Sequence, residues 1–127
     1  MSWTATYDAE SDFVLTVYEG KLTKEELVAE EEESLALALA NSTNRFLVDQ
    51  TNYTGTISPV DLFESPARYE EKLMRPIYVA VVEPTCEEAR KDAQFYETVC
   101  RNRGWNVTLF SKKEAAVAWL EEKRKKD

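Results

Sequence analysis

Apolar and polar residues alternate twice at the start of the chain. Trp3, Ala5 and Tyr7 alternate with their neighbours in one run, and Phe13, Leu15 and Val17 do so in the next, around the polar stretch Asp8 to Asp12. Alternation with a period of two around a short polar turn predicts a β-hairpin over 3–8 and 13–18, ended by Gly20. From Thr23 the period lengthens. Leu27, Val28, Leu35 and Leu39 fall on one face at helical spacing, and Thr23 with Glu26 makes a capping box. A helix is expected to run to Ala40 and to close at Asn41 in a left-handed cap. Phe46, Leu47 and Val48 then predict a short buried strand ending at Asp49, followed by an irregular stretch from Gln50 to Ile57.

Ser58-Pro59 opens the next helix with a cap residue and a proline at the first helical position. A second Ser-Pro, Ser65-Pro66, predicts a kink or a restart, with Tyr69, Leu73 and Met74 as the apolar face of the second piece. Ile77 to Val82 is a nearly continuous apolar run, the pattern of a strand covered on both faces. Thr85 with Glu88 predicts a cap for a helix whose inner face is Ala89, Ala93, Tyr96, Val99 and Cys100. Gly104 stands where a left-handed residue ends that helix. Val107, Leu109 and Phe110 form a strand, and Ser111 with Glu114 a further capping box before the last helix.

The order is β-β-α-β-α-β-α-β-α. The fold class is therefore α/β: an N-terminal hairpin, then alternating helices and strands in a mixed, mostly parallel five-stranded sheet with flanking helices. No linker, repeat or low-complexity segment divides residues 1–127, which are expected to form a single domain.

Charge and composition narrow the chemistry. The chain carries 24 acidic and 16 basic residues, a net charge of −8. An acidic field repels phosphate backbones, so nucleic acid is not an expected partner. The one basic cluster, Lys123 to Lys126, reads as a solvated helix end suited to the dipole, or as a weak membrane tether. Glu25, Glu26 and Glu30 to Glu33 crowd the first long helix; they read as a solvated face, or as an acidic docking surface. The start of the chain has no basic and apolar leader, and no run approaches the roughly 20 apolar residues that span a bilayer. A cytoplasmic location with reduced Cys86 and Cys100 is expected.

The chain has no histidine. Ser–His–Asp and Cys–His catalysis and histidine metal sites are thereby excluded within it, and two cysteines cannot build a thiolate zinc site. Three glycines allow neither a dinucleotide fingerprint nor a phosphate loop. No enzyme activity, metal or cofactor is expected.

A larger pattern carries a resemblance. The stretch Gly20 to Glu26 reads Gly-x-Leu-Thr-x-Glu-Glu, and Leu47-Val48-Asp49 ends a strand. The close of the chain reads Arg101-Asn102-Arg103-Gly104, then Leu109-Phe110, Glu114-Ala115 and Ala118-Trp119-Leu120. Over residues 5–120 this order and spacing resembles the SpoIIAA-like proteins, within the wider STAS fold of anti-sigma-factor antagonists and transporter C-terminal domains. The resemblance implies a small sheet flanked by helices and a regulatory role in protein–protein or small-ligand interaction without covalent chemistry. Such proteins are compared both with phosphorylatable antagonists and with CRAL-TRIO carriers of lipophilic ligands. The antagonists' Asp-Ser-Ser/Thr-Gly signature is missing, since residues 49–58 read DQTNYTGTIS. Thr51, Thr54, Thr56 and Ser58 are the remaining acceptors near that place.

Two sets of residues are candidates. Asp49, Thr51, Tyr53 and Ser58 form an interaction or ligand loop after a strand end, where α/β folds place ligands. Asp49 reads first as a capping carboxylate, and Tyr53 as an aromatic folded over the core. Phe63, Tyr69, Leu73 and Met74 would line a pocket between the sheet and the helices over 58–74. The first reading is a regulatory protein-interaction module with an unidentified protein partner. The alternative is a carrier or sensor of a small lipophilic ligand. A homodimer is compatible with both, because edge strands invite pairing.

Overall fold

The alternating runs at the start become an antiparallel hairpin. In the computed structural model, which describes residues 2–124, β1 (Trp3–Asp8) pairs with β2 (Phe13–Gly20), Trp3 opposite Tyr18 and Asp8 opposite Phe13. Asp12 takes a positive φ of 55° in the connecting turn, and its N–H donates to the Asp8 carbonyl at 2.7 Å. Three parallel strands follow: β3 (Arg45–Tyr53), β4 (Tyr78–Val82) and β5 (Asn106–Phe110). The sheet order is β1-β2-β3-β4-β5. Each strand lies beside its predecessor in sequence, with helices α1 (Lys24–Ala40), α2 (Pro59–Ala67) and α3 (Glu87–Asn102) as crossovers and α4 (Lys113–Arg124) last.

The alternation along each strand divides the core between two faces. On one, Phe13, Leu47, Ala80 and Val82 pack against Ala116 and Leu120 of α4. On the other, Ile77, Val79, Val81 and Val107 pack with Cys100 of α3 and Trp105. Trp119 is half-buried against the first of these clusters, and Trp3 is half-buried against a third, made by Tyr18, Leu22, Tyr53 and Ala89. Lys123 lies 5.4 Å over the Trp119 ring, and Arg124 donates to the Glu10 carbonyl at 3.0 Å. The other members of the basic cluster, Lys125 and Lys126, lie outside the described residues.

Several local expectations hold and several do not. Thr23 and Glu26 make the full reciprocal capping box. Gly104 has φ +85°, and Trp105 N–H reaches back to the Cys100 carbonyl at 3.0 Å. At Asn41, however, φ is −111°, and the left-handed position falls one residue later at Ser42. β3 is nine residues long, not four, because β2 continues to pair with it as far as Gly20 opposite Tyr53. The irregular stretch is correspondingly shorter. Thr85 caps no helix; its hydroxyl and N–H both donate to the Thr51 carbonyl at 3.3 Å. Ser111 lies two residues before α4 begins. Pro66 sits inside α2, and the segment after Arg68 is a series of turns, not a second helix.

The inner face of α1 departs most from the periodicity reading. Its buried residues are Leu27, Glu30, Ser34 and Ala38, while Leu39 is 52% exposed. Leu39 lies one position past Ala38, about 100° around the helix.

Replacing Gly104 with alanine is expected to cost about 1 kcal/mol, since an L-residue is strained at positive φ. The added Cβ would lie 3.3 Å from Arg75 Nη1, the mobile end of a side chain, so backbone strain dominates. Urea denaturation should show a lower midpoint at an unchanged slope.

Candidate functional site

The sheet face opposite α4 is incompletely filled. A cavity of about 110 Å³ lies between that face and helices α1, α2 and α3. Thr16, Tyr18, Phe46, Val48, Val79 and Val81 form its floor. These positions share a face because alternate residues of adjacent, in-register strands point the same way. Leu27, Glu30, Glu31 and Ser34 of α1 close one side. Leu62 and Ser65 of α2, followed by Tyr69 and Leu73, form the cover. Asp92, Ala93 and Tyr96 of α3, with Trp105, complete the wall.

The lining is mostly apolar and aromatic, but it contains buried carboxyls. Glu30 is 6% exposed. It accepts the Tyr18 hydroxyl on one oxygen and the Ser34 hydroxyl, at 2.8 Å, on the other. Ser34 Oγ lies 3.1 Å from Thr16 Oγ1, so the sheet face continues the network. Burial raises the Glu30 pKa to about 7, even though both hydroxyl donors act to lower it. Burial, then the nearby Glu30 carboxylate, pushes the Tyr18 phenol up as well.

Glu31 ties the cover to α1. It accepts the Ser65 hydroxyl, Arg68 Nη2 at 2.9 Å and the Tyr69 hydroxyl at 2.9 Å. Removing this acceptor strands two hydroxyls, while the half-exposed guanidinium rehydrates. Glu31→Ala is expected to lower stability by about 1–2 kcal/mol. Hydrogen exchange should accelerate in residues 59–69 well before it does in the sheet.

Tyr53 stands at the end of β3, 1% exposed, with its ring edge-on to Tyr18 at 5.3 Å between centroids. Its hydroxyl has no hydrogen-bond partner among the described residues. Burial and then the Asp92 charge raise its pKa. Asp92 accepts the Ile57 N–H at 2.7 Å and is itself raised by burial. Cys100 is buried and its thiol is pushed up to about 12, as suits a packing residue. Cys86 is the N-cap residue of α3 without a side-chain cap bond.

The cavity brings together Tyr53, Tyr69 and Leu73 of the residues singled out from sequence. Phe63 and Met74 do not line it; each is 54% exposed. The inward positions of α2 are Leu62 and Ser65, so Phe63 is turned away by one helical step. Met74 borders a shallow surface groove near Asp12, Arg75 and Arg124. Asp49, Thr51 and Ser58 also lie outside the cavity lining. Asp49 Oδ1 accepts the Thr51 N–H at 3.0 Å and its hydroxyl at 2.6 Å. Ser58 Oγ accepts the Asp61 N–H at 3.2 Å and so caps α2.

Periodicity reasoning overlooked Thr16, Tyr18, Glu30, Glu31, Ser34 and Asp92. A signal existed for part of this set. Thr16 and Tyr18 share the parity of Val14, so two polar-tipped residues had to face a covering helix, and Leu27 lies one turn before Glu30 and Glu31.

No helix among the described residues is long and apolar enough to cross a membrane. No group of acidic or cysteine side chains among them is placed to hold a metal ion.

Comparisons with known proteins concern the fold. An anti-sigma factor antagonist from Mycobacterium paratuberculosis superposes with a TM-score of 0.65 at 15% identity, over 94% of this chain and 94% of that one. An uncharacterised DUF3478-family protein with a SpoIIAA-like fold, from Shewanella loihica PV-4, gives 0.59 at 20% identity, over 93% and 91%. No protein-family model and no curated protein matches the sequence. The five-stranded sheet with its antiparallel start and flanking helices is a SpoIIAA-like, STAS-type fold.

Proposed function

On this SpoIIAA-like fold, we propose a non-catalytic regulatory module that senses a small, mainly apolar ligand in the cavity beneath α2. One observation carries the reading: Tyr53 lines the cavity, and its buried hydroxyl has no partner among the described residues. An unsatisfied buried hydroxyl costs about 1–3 kcal/mol, which a ligand with one polar atom would recover. The volume of about 110 Å³ is below the ~150 Å³ that accommodates benzene. A ligand of about four or five heavy atoms fits such a space without opening the cover.

The output would pass through α2. Its inner side covers the cavity, while Val60 and Phe63 on its outer side are 66% and 54% exposed. A ligand that settles α2 would therefore also settle a surface that a protein partner can read. The anti-sigma factor antagonist among the structural neighbours supports a regulatory partner of this kind. Ser58, as the α2 cap, is where a phosphate would act on the same helix. The exposed Val60 and Phe63 also favour a second reading, a pure interaction module that needs no ligand.

Native mass spectrometry of the full chain, purified without denaturant from its own cells, separates the two. A non-covalent adduct lost on denaturation, and absent from the cavity-filling Ala93→Leu variant, is the expected result. A bare mass would sink the ligand reading and leave the interaction module.

A further inference from the structure

The polar groups of the cavity are lopsided. Glu30, Glu31 and Asp92 line it, and no lysine or arginine does. Arg68 answers Glu31 from outside the lining. No ammonium or guanidinium among the described residues forms an ion pair with Glu30 or Asp92. Two carboxyls thus face one small space without a counter-charge, beside the partnerless Tyr53 hydroxyl.

We propose that the cavity binds a small alkylammonium ion, whose charge is neutralised by the Glu30 and Asp92 carboxylates and whose chain packs on Val48, Val81 and Leu73. This rests on the ligand reading above and names its ligand class. Each structural element in contact contributes to the selectivity. Tyr18 and Thr16 from the sheet and Ser34 from α1 supply hydroxyls around Glu30. The Tyr53 oxygen is free to accept an ammonium N–H. The aromatic residues Tyr18, Tyr53, Tyr96 and Trp105 in the lining are compatible with a cation. A carboxylate of the same size would meet like charge with no cation to receive it. Burial raises the pKa of both Glu30 and Asp92, and only hydrogen-bond donors act to lower it.

The test is a titration of the full chain, monitored by amide NMR at about pH 8, where carboxyls and alkylamines are both charged. The probes are n-butylamine, n-butanol and butyrate. The amine is expected to bind at least about tenfold more tightly than the alcohol, with butyrate weakest. Shifts should centre on Tyr53, Ile57 and the Trp105 indole. In Glu30→Gln and in Asp92→Asn the amine should lose its advantage over the alcohol. Equal or tighter binding of the alcohol overturns the ammonium proposal and leaves the ligand reading standing. Amine shifts confined to the exposed acidic face of α1 overturn it too. Failure of all three probes, together with a bare native mass, overturns both.

Discussion

Glu30→Gln is expected to stabilise the protein by about 3 kcal/mol near pH 8 and to change little near pH 4. The cause is burial of a carboxyl whose folded pKa is raised from 4.5 to about 7. A raised carboxyl pKa means that the folded state holds its proton longer than the unfolded state does. Its contribution to stability is therefore full below the unfolded pKa and is lost as the pH rises through the folded one. The difference, about two and a half units at 1.36 kcal/mol each, sets the magnitude. An amide carries no such penalty. Ser34 Oγ, already donating to Glu30 and 3.1 Å from Thr16, has lone pairs to accept the new NH₂ while Tyr18 still donates to the amide oxygen. Glu26 and Glu70 have lowered values, so their contributions are lost only as the pH falls below the ordinary carboxylate range. These two groups are common to wild type and variant and cancel in the difference. Urea titrations of both proteins at several pH values check this: parallel curves across the window from about 4.5 to 7 would defeat it.

Leu47→Ala is expected to cost about 3 kcal/mol or more. Leu47 is fully buried at the centre of the sheet, packed with Phe13, Ala80, Val82, Ala116 and Leu120 on the α4 face. That face is the well-filled one, so the lost methyls leave a void that rigid strands on both sides cannot close. Leu73→Ala removes the same atoms from a half-buried turn at the edge of the existing cavity. Its cost should be less than half as large. Thermal or urea denaturation of the pair measures the contrast, and equal losses would mean that the two faces are packed alike.

The order of strands and helices was legible in the sequence because each element had the period of its type and a turn or cap at its end. Gly104 and the Thr23–Glu26 box are cases where backbone chemistry decides locally. The site was less legible. A hydrophobicity pattern assigns glutamates to the surface, yet α1 is oriented by what it meets. Opposite it stand Thr16 and Tyr18, whose hydroxyls accommodate Glu30 and Ser34. Leu39, apolar but facing no partner, is left outside. Tyr69 and Leu73 could be associated with a pocket because they follow a proline-marked cover, but the rotation of α2 that exposes Phe63 depends on Leu62 reaching the cavity. The extra length of β3 was illegible because pairing with β2, not the polar sequence Gln50 to Asn52, sustains it.

α4 is the helix that covers the Phe13, Leu47, Ala80 and Val82 face, and it follows every strand it covers. The first four strands and the two crossover helices between them can emerge from the ribosome and begin to associate while that side of the sheet is still naked. A surface of this kind is sticky toward other nascent chains and attractive to holding chaperones. Completion of the α4 segment is therefore the step that commits the chain to its native form, and the interval before it is the protein's period of greatest exposure to aggregation.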